Sequence, residues 1–254
     1  GPPSGDEVAA TTEKFFAAWE DGNAEEAASY TNDAASATTL LTAYAEDAHI
    51  GGVTITPGTA TGTEVPFTVQ AEVSYQGKTE PLTYESRLSV VRGKTTGRAL
   101  VDWEPSVVHP ELSAEGDTLV TAEASAPPIE AVDRDGKVLT KEEYPSLGPV
   151  LDTLRERYGD QAGGEPGVEL MVRHASPEVA DTPLVSLTEG EPGKLETTLS
   201  ASVQAAAEKA VEEFDESSVV AVKPSTGEVL AVANHRADGF NAAFQGRVAP
   251  GSTM

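Results

Sequence analysis

The 254 residues, 39% of them hydrophobic, are enough for two domains with cores and the beginning of a third. Asp and Glu number 42 against 17 Lys and Arg, a formal charge of −25, which argues against nucleic acid and against anionic membrane surfaces as partners. There is no cysteine, so disulfides and thiolate metal sites are excluded, and His49, His109, His174 and His235 are scattered without ligand spacing; no metal or cofactor is expected.

The chain begins Gly1-Pro2, a pair of the kind that tag cleavage leaves, and no apolar run reaches the ~18 residues of a membrane span. Val8, Thr12, Phe15, Phe16 and Trp19 recur at helical spacing, predicting a helix over 6–20 that closes at Asp21-Gly22. A shorter helix follows near 24–30. Asp33 is placed to cap a third, with Ala37, Leu40, Leu41, Tyr44 and Ala48 on one face, and Gly51-Gly52 breaks that pattern. The period then changes to two. Val65, Phe67, Val69, Ala71, Val73 and Tyr75 alternate with mostly polar residues, Gln76-Gly77-Lys78 turns the chain, and Leu82, Tyr84, Ser86, Leu88 and Val90 alternate again. Gly93-Lys94 turns once more, before a strand over 100–103.

Three helices followed by an antiparallel meander predict an α+β roll or cone. Phe15, Phe16, Trp19, Phe67, Tyr75, Tyr84 and Trp103 either fill its core or line a cavity. The exit reads Trp103-Glu104-Pro105-Ser106-Val107-Val108-His109-Pro110-Glu111-Leu112. With the elements before it, this stretch resembles the NTF2-like domain (MecA N-terminal type) at the front of some class B penicillin-binding proteins, low-affinity resistance types included.

Residues 110–197 are richer in Gly, Pro and charge. A strand is expected over 119–123. Ile129 to Leu139 reads as strand, turn, strand, with Asp135-Gly136 supplying the positive dihedral of a tight hairpin. Its Asp133-Arg134-Asp135-Gly136-Lys137-Val138-Leu139 resembles the Asp-Arg-x-Gly-x-x-Leu element of the linker or dimerisation module in the same enzymes, although Pro128 stands before Ile129 where the family has Arg-Gly. Leu147, Val150, Leu151, Leu154 and Tyr158 mark a helix; short strands follow near 168–173, 184–187 and 194–198. Arg134, Arg155, Arg157 and Arg173 either gather an anion or pair with this acidic chain.

A helix is predicted over 200–215, with Val203, Ala206, Ala207, Ala210, Val211 and Phe214 as its apolar stripe. Strands over 219–222 and 229–232 flank Pro224-Ser225-Thr226-Gly227, and their apolar runs imply a sheet covered on both faces. Near the end stands Pro250-Gly251-Ser252-Thr253-Met254. There Ser252 is either a helix cap or a nucleophile, the second requiring a Lys one turn along to take its proton. From Thr198-Leu199-Ser200 through Gln204, Glu208, the Pro-x-Thr-Gly-Glu turn and Pro-Gly-Ser, these 57 residues resemble the start of the transpeptidase domain of penicillin-binding proteins. Ser200 stands where Asp is usual, and the sequence stops before the motif's Lys.

The resemblance implies three domains: 5–108 NTF2-like, 109–197 linker or dimerisation, and 198–254 the first helix and hairpin of a β-lactamase-like transpeptidase domain. It implies a serine D-Ala-D-Ala transpeptidase with Ser252 as nucleophile. Peptidoglycan stem peptides would be its substrates and β-lactams its acylating mimics, while these 254 residues alone would be inactive. It further implies an extracytoplasmic protein held by a membrane anchor upstream of this soluble chain, pairing with a second copy or with division or elongation partners. Two other readings stand beside it: a non-catalytic scaffold binding a partner or cell-wall fragment, and a class D β-lactamase or β-lactam sensor.

Overall fold

The computed structural model describes residues 1–159, 163–213, 218–223 and 226–234. The chain divides into two compact units, each built from two stretches of sequence. The first takes Gly1–Ala124 and Gly167–Glu189, the second Ser125–Pro166 and Gly190–Met254.

In the first unit, α1 (Gly5–Glu20) opens with a capping box. The Ser4 hydroxyl accepts the Glu7 N–H at 3.2 Å, and the Glu7 carboxylate accepts the Ser4 N–H at 3.1 Å. Asn23 and Asp33 cap α2 (Ala24–Ser29) and α3 (Ala34–Glu46) through single side-chain oxygens. The sheet runs β1 (Ile50–Pro57), β2 (Glu64–Tyr75), β3 (Lys78–Arg92), β4 (Ala99–Val101), in that order and antiparallel throughout. Gln76 and Gly77 join β2 to β3 with φ of 51° and 78°, the doubly positive pattern of a two-residue hairpin turn. The α+β, NTF2-like architecture expected from sequence is present.

β1 was not foreseen. Gly51-Gly52 does end the helical pattern, but the strand then runs through both glycines. Its register with β2 shifts between Gly51 and Thr54, and Gly52 takes a φ of 60° there.

The aromatic residues fill the core of this unit. Phe16 meets Phe67 at a tilt of 55° with centroids 4.7 Å apart, and Trp19 meets Tyr44 and Phe67 edge-on at 5.6 and 6.0 Å. Phe15, Phe16, Trp19, Phe67 and Trp103 are buried, while Tyr75 and Tyr84 are half-buried at its margin. A second antiparallel sheet closes this core: β5 (Thr118–Glu123), β8 (Val168–Arg173) and β9 (Thr182–Thr188), in the order β5-β8-β9. Leu119, Leu170, Val172 and Leu187 pack into the same cluster as Phe15 and Val90. Thr121 stitches β5 to the end of α3, donating its hydroxyl to the Ala48 carbonyl at 2.6 Å and its N–H to that of Asp47 at 3.0 Å. Residues 109–197 are therefore shared between the units, 109–124 and 167–189 lying with the first.

The second unit holds β6 (Glu130–Val132), β7 (Val138–Leu139), α4 (Gly148–Tyr158), β10 (Lys194–Glu196), α5 (Ala201–Val211), and the hairpin β11 (Ser218–Val222) and β12 (Val229–Asn234). β6 pairs antiparallel with β7 and parallel with β10. Its core gathers Leu139, Leu147, Leu151, Leu195 and Leu199, all essentially inaccessible. Gly164, at a φ of 100°, lets the chain pass so close to Gly193 that a Cβ would lie 2.5 Å from the Gly193 nitrogen; beside it Glu165 and Glu191 exchange two backbone hydrogen bonds.

Candidate functional site

Ser252, the expected nucleophile, lies outside the described residues, as do Asn241, His235 and Phe214. The described part of that region is its foundation, α5 with the β11–β12 hairpin, and its geometry shows how the Asp-Arg-x-Gly element sets it.

Asp133 is buried and spends both oxygens on backbone. Oδ1 accepts the N–H groups of Asp135 at 2.9 Å and Lys137 at 2.8 Å, closing the turn after β6; Oδ2 accepts the N–H of Ala201, the first residue of α5, at 3.0 Å. Burial works to raise its pKa, but the three N–H donors outweigh it and hold the carboxyl below the usual range. A fixed negative charge thus sits on the positive end of α5. Ser200 caps the same end from its own side chain, and its N–H donates to the Leu230 carbonyl at 2.6 Å. Arg134 donates its backbone N–H to Leu199 O at 2.7 Å and meets Glu228 at 3.5 Å. Of the other arginines weighed for an anion site, Arg155 donates to the Ile129 carbonyl at 2.9 Å, and Arg173, in the first unit, pairs with Asp181 at 3.2 Å.

The apolar stripe predicted for α5 is rotated. Its buried positions are Ala201, Gln204, Ala207 and Val211, whereas Ala206 and Ala210 face solvent. Gln204 is the cause. Its side-chain amide is completely buried: Nε2 donates to the Val232 carbonyl at 2.6 Å, and Oε1 accepts the Val232 N–H at 2.7 Å. One carboxamide thus replaces a neighbouring strand at the outer edge of β12. Nε2 also reaches Glu208 at 3.2 Å, and Glu208 accepts the Ser146 N–H at 2.8 Å; burial nevertheless leaves the Glu208 carboxyl with a raised pKa. Ala231 and Ala233 pack with Ala207 and Val211, and Val229 and Val232 belong to the core around Leu199. Val220 and Val222 of β11 remain 36% and 48% exposed, so the expected double covering holds for β12 only.

In the first unit the exit segment is tied down by β3. The Tyr84 hydroxyl donates to Val108 O at 2.6 Å and lies 3.0 Å from the Tyr44 hydroxyl; the Ser86 hydroxyl is shared between the carbonyls of Ser106 and Val107 at 2.9 and 3.0 Å. The His109 ring packs at a tilt against Tyr84, centroids 4.4 Å apart, and accepts the Glu111 N–H, and burial pushes its pKa down to about 4. An open groove of about 1020 Å³ runs beside this segment, with Glu64, Glu85, Arg87, Asp102, Glu104 and Ser106 among its walls. Among the described residues no cluster of His, Asp and Glu has the make-up of a metal site, and no helix is long and apolar enough to cross a membrane.

The architecture defines the first unit as an NTF2-like α+β domain. Residues 7–116 match the family model of the NTF2-like N-terminal transpeptidase domain. No curated protein matches the chain.

Asp133 and Gln204 are the structural determinants of this region that sequence patterning alone overlooks. Asp133 carried a signal, since an Asp two residues before Asp-Gly is placed to accept turn N–H groups. Gln204 belonged to the transpeptidase-like run and broke the apolar stripe, but neither feature points to an amide buried against a strand edge.

Proposed function

We propose that the chain is the extracytoplasmic front portion of a class B penicillin-binding protein, whose complete form is a serine D-Ala-D-Ala transpeptidase. The observation that carries this reading is the transpeptidase-type match over 7–116, followed in order by the Asp133-Arg134 element, the Thr-Leu-Ser/Gln204 helix, the β11–β12 hairpin and Pro250-Gly251-Ser252. The Asp133 and Gln204 clamps support it, because the first ties the linker element to the opening helix and the second ties that helix to the hairpin.

In this reading Ser252 attacks the carbonyl between the two terminal D-Ala residues of a stem peptide. A Lys following Met254 takes the serine proton, D-Ala leaves, and an amine of a second stem peptide resolves the acyl-enzyme. A positioned base contributes roughly 10²- to 10⁴-fold and one oxyanion donor roughly 10²- to 10³-fold. The position of the motif's Lys falls after Met254, so these 254 residues by themselves are expected not to retain penicillin. The experiment compares this chain with one extended along the parent reading frame, each treated with fluorescent penicillin. The extended chain should label stoichiometrically, Ser252→Ala should abolish the label, and the 254-residue chain should stay dark. A parent frame without Lys after Met254, or label surviving Ser252→Ala, refutes the proposal and leaves the scaffold reading.

A further inference from the structure

Asp117, His174 and Thr182 all belong to the first unit and all lie outside residues 7–116. Asp117 stands just ahead of β5, buried. Its Oδ1 accepts the Ala175 N–H at 3.0 Å, and its Oδ2 accepts those of Ser113 at 3.2 Å and Ala114 at 3.1 Å. Three backbone donors therefore fix the carboxylate in orientation. His174 follows β8 directly, and Thr182 begins β9. Antiparallel pairing sets Thr182 opposite Val172, two residues before the histidine. The imidazole spans the gap: Nδ1 is 3.5 Å from Asp117 Oδ2, and Nε2 is 2.8 Å from Thr182 Oγ1.

Burial acts to raise the Asp117 pKa, yet the N–H groups of Ala175 and Ala114 and the neighbouring His174 hold it below the ordinary aspartate range. At neutral pH it is a carboxylate with no proton to give. A carboxylate 3.5 Å from Nδ1 favours the tautomer with its hydrogen there, and in that neutral ring Nε2 accepts from the threonine hydroxyl. This is the order of a hydroxyl nucleophile, its base and the group that orients the base. As a mere tie between strands the histidine would be redundant, since Asp117 already secures its turn and Ala175 through backbone N–H groups.

We propose that Thr182 is an activated hydroxyl and that Asp117, His174 and Thr182 form an acyl-transfer site, independent of any chemistry at Ser252. Its substrates are small activated esters, because Thr182 is half-buried and the His174 side chain is 18% exposed. Thr182 Oγ1 attacks the ester carbonyl carbon and a C–O bond forms, while its proton passes to His174 Nε2. The bond to the leaving alkoxide or aryloxide breaks with its electron pair on that oxygen, which takes the proton from His174 or departs as the anion while His174 gives its proton to water. Water then attacks the acyl-threonine, its proton passing by His174 back to Oγ1 as the carboxylic acid departs. Asp117 is a positioning residue that holds the ring and faces the transient imidazolium.

The test treats the 254-residue chain with p-nitrophenyl acetate and maps the acetyl group by peptide mass spectrometry. Acetylation of Thr182 is expected, roughly 10²- to 10⁴-fold faster than in His174→Gln. Thr182→Val, which keeps the shape, should lose the label, and Thr182→Ser should keep it, which separates lost chemistry from lost folding. Thr182 left unmodified while other side chains react, or modified at one rate with and without the imidazole, overturns the proposal and leaves a strand latch.

Discussion

Replacing Gln204 with Leu removes one carboxamide and leaves two backbone groups of Val232 without their partner. Leu is close to Gln in volume, so the cavity contribution is small and the loss is one of hydrogen bonding. Each buried backbone group left unpaired costs about 1–3 kcal/mol, or about 2–6 kcal/mol for the N–H and carbonyl that Gln204 now holds at 2.7 and 2.6 Å. At 1.4 kcal/mol per factor of ten, β12 should open locally roughly 30-fold to 10⁴-fold more often. Hydrogen exchange read by mass spectrometry on peptides spanning 229–234 measures this directly. Protection of those peptides within threefold of the unmutated chain would show that Gln204 is not what closes the edge of β12. Exchange in β2 and β3, within the other unit, should not change.

Three further outcomes are expected. His109 is held neutral by burial, with its pKa near 4 against 6.5 for a free imidazole. Its contribution is complete above pH 6.5 and lost as pH falls through 4, about 3 kcal/mol in all. Both tryptophans, Trp19 and Trp103, lie in the first unit, so fluorescence-detected unfolding should show that acid sensitivity, and His109→Gln should flatten it. Glu7 is pulled down to about 2, first by its hydrogen bonds to Arg92 and then by the Ser4 backbone, so its favourable term is present above pH 4.5 and disappears as pH drops toward 2. In Arg92→Met the Glu7 side-chain carbon signal should titrate close to the ordinary carboxylate range; a midpoint still near 2 would contradict the assignment. Gly164→Ala sets a Cβ against the Gly193 backbone at a φ that only glycine tolerates well, costing about 1–3 kcal/mol from the dihedral alone. The Glu165 and Glu191 amides should then exchange faster, and unchanged exchange would refute it.

Much of this fold was legible because periodicity and caps act locally. Ser4, Asn23, Asp33 and Ser200 stand where the helices begin, and the period-two run from Val65 to Tyr75 lies on β2 with its odd positions inward. Non-local decisions were hidden. Gly51-Gly52 looked like a terminator because a bulge uses the same residues as a break. β5, β8 and β9 read as linker strands because nothing in their short alternation says which core they will close. Gln204 fell outside the apolar stripe expected for its helix, since a side chain that completes a sheet edge cannot be told by composition from one that meets water. Of the expected catalytic apparatus only the supporting helix and hairpin fall among the described residues. The Asp117–His174–Thr182 alignment spans 66 positions of sequence, and its ends meet only because β8 pairs with the distant β5, setting Thr118 opposite Arg173, as well as with β9.

The division of the backbone into alternating stretches bears on how the protein is made. The NTF2-like portion is not complete when residue 116 leaves the ribosome, because Leu170, Val172 and Leu187 must still arrive to shield its aromatic interior. A nascent chain therefore holds an uncovered hydrophobic surface for some seventy further additions, several seconds at 5–20 residues per second. Chaperone occupancy should peak in that interval and fall once β9 has emerged.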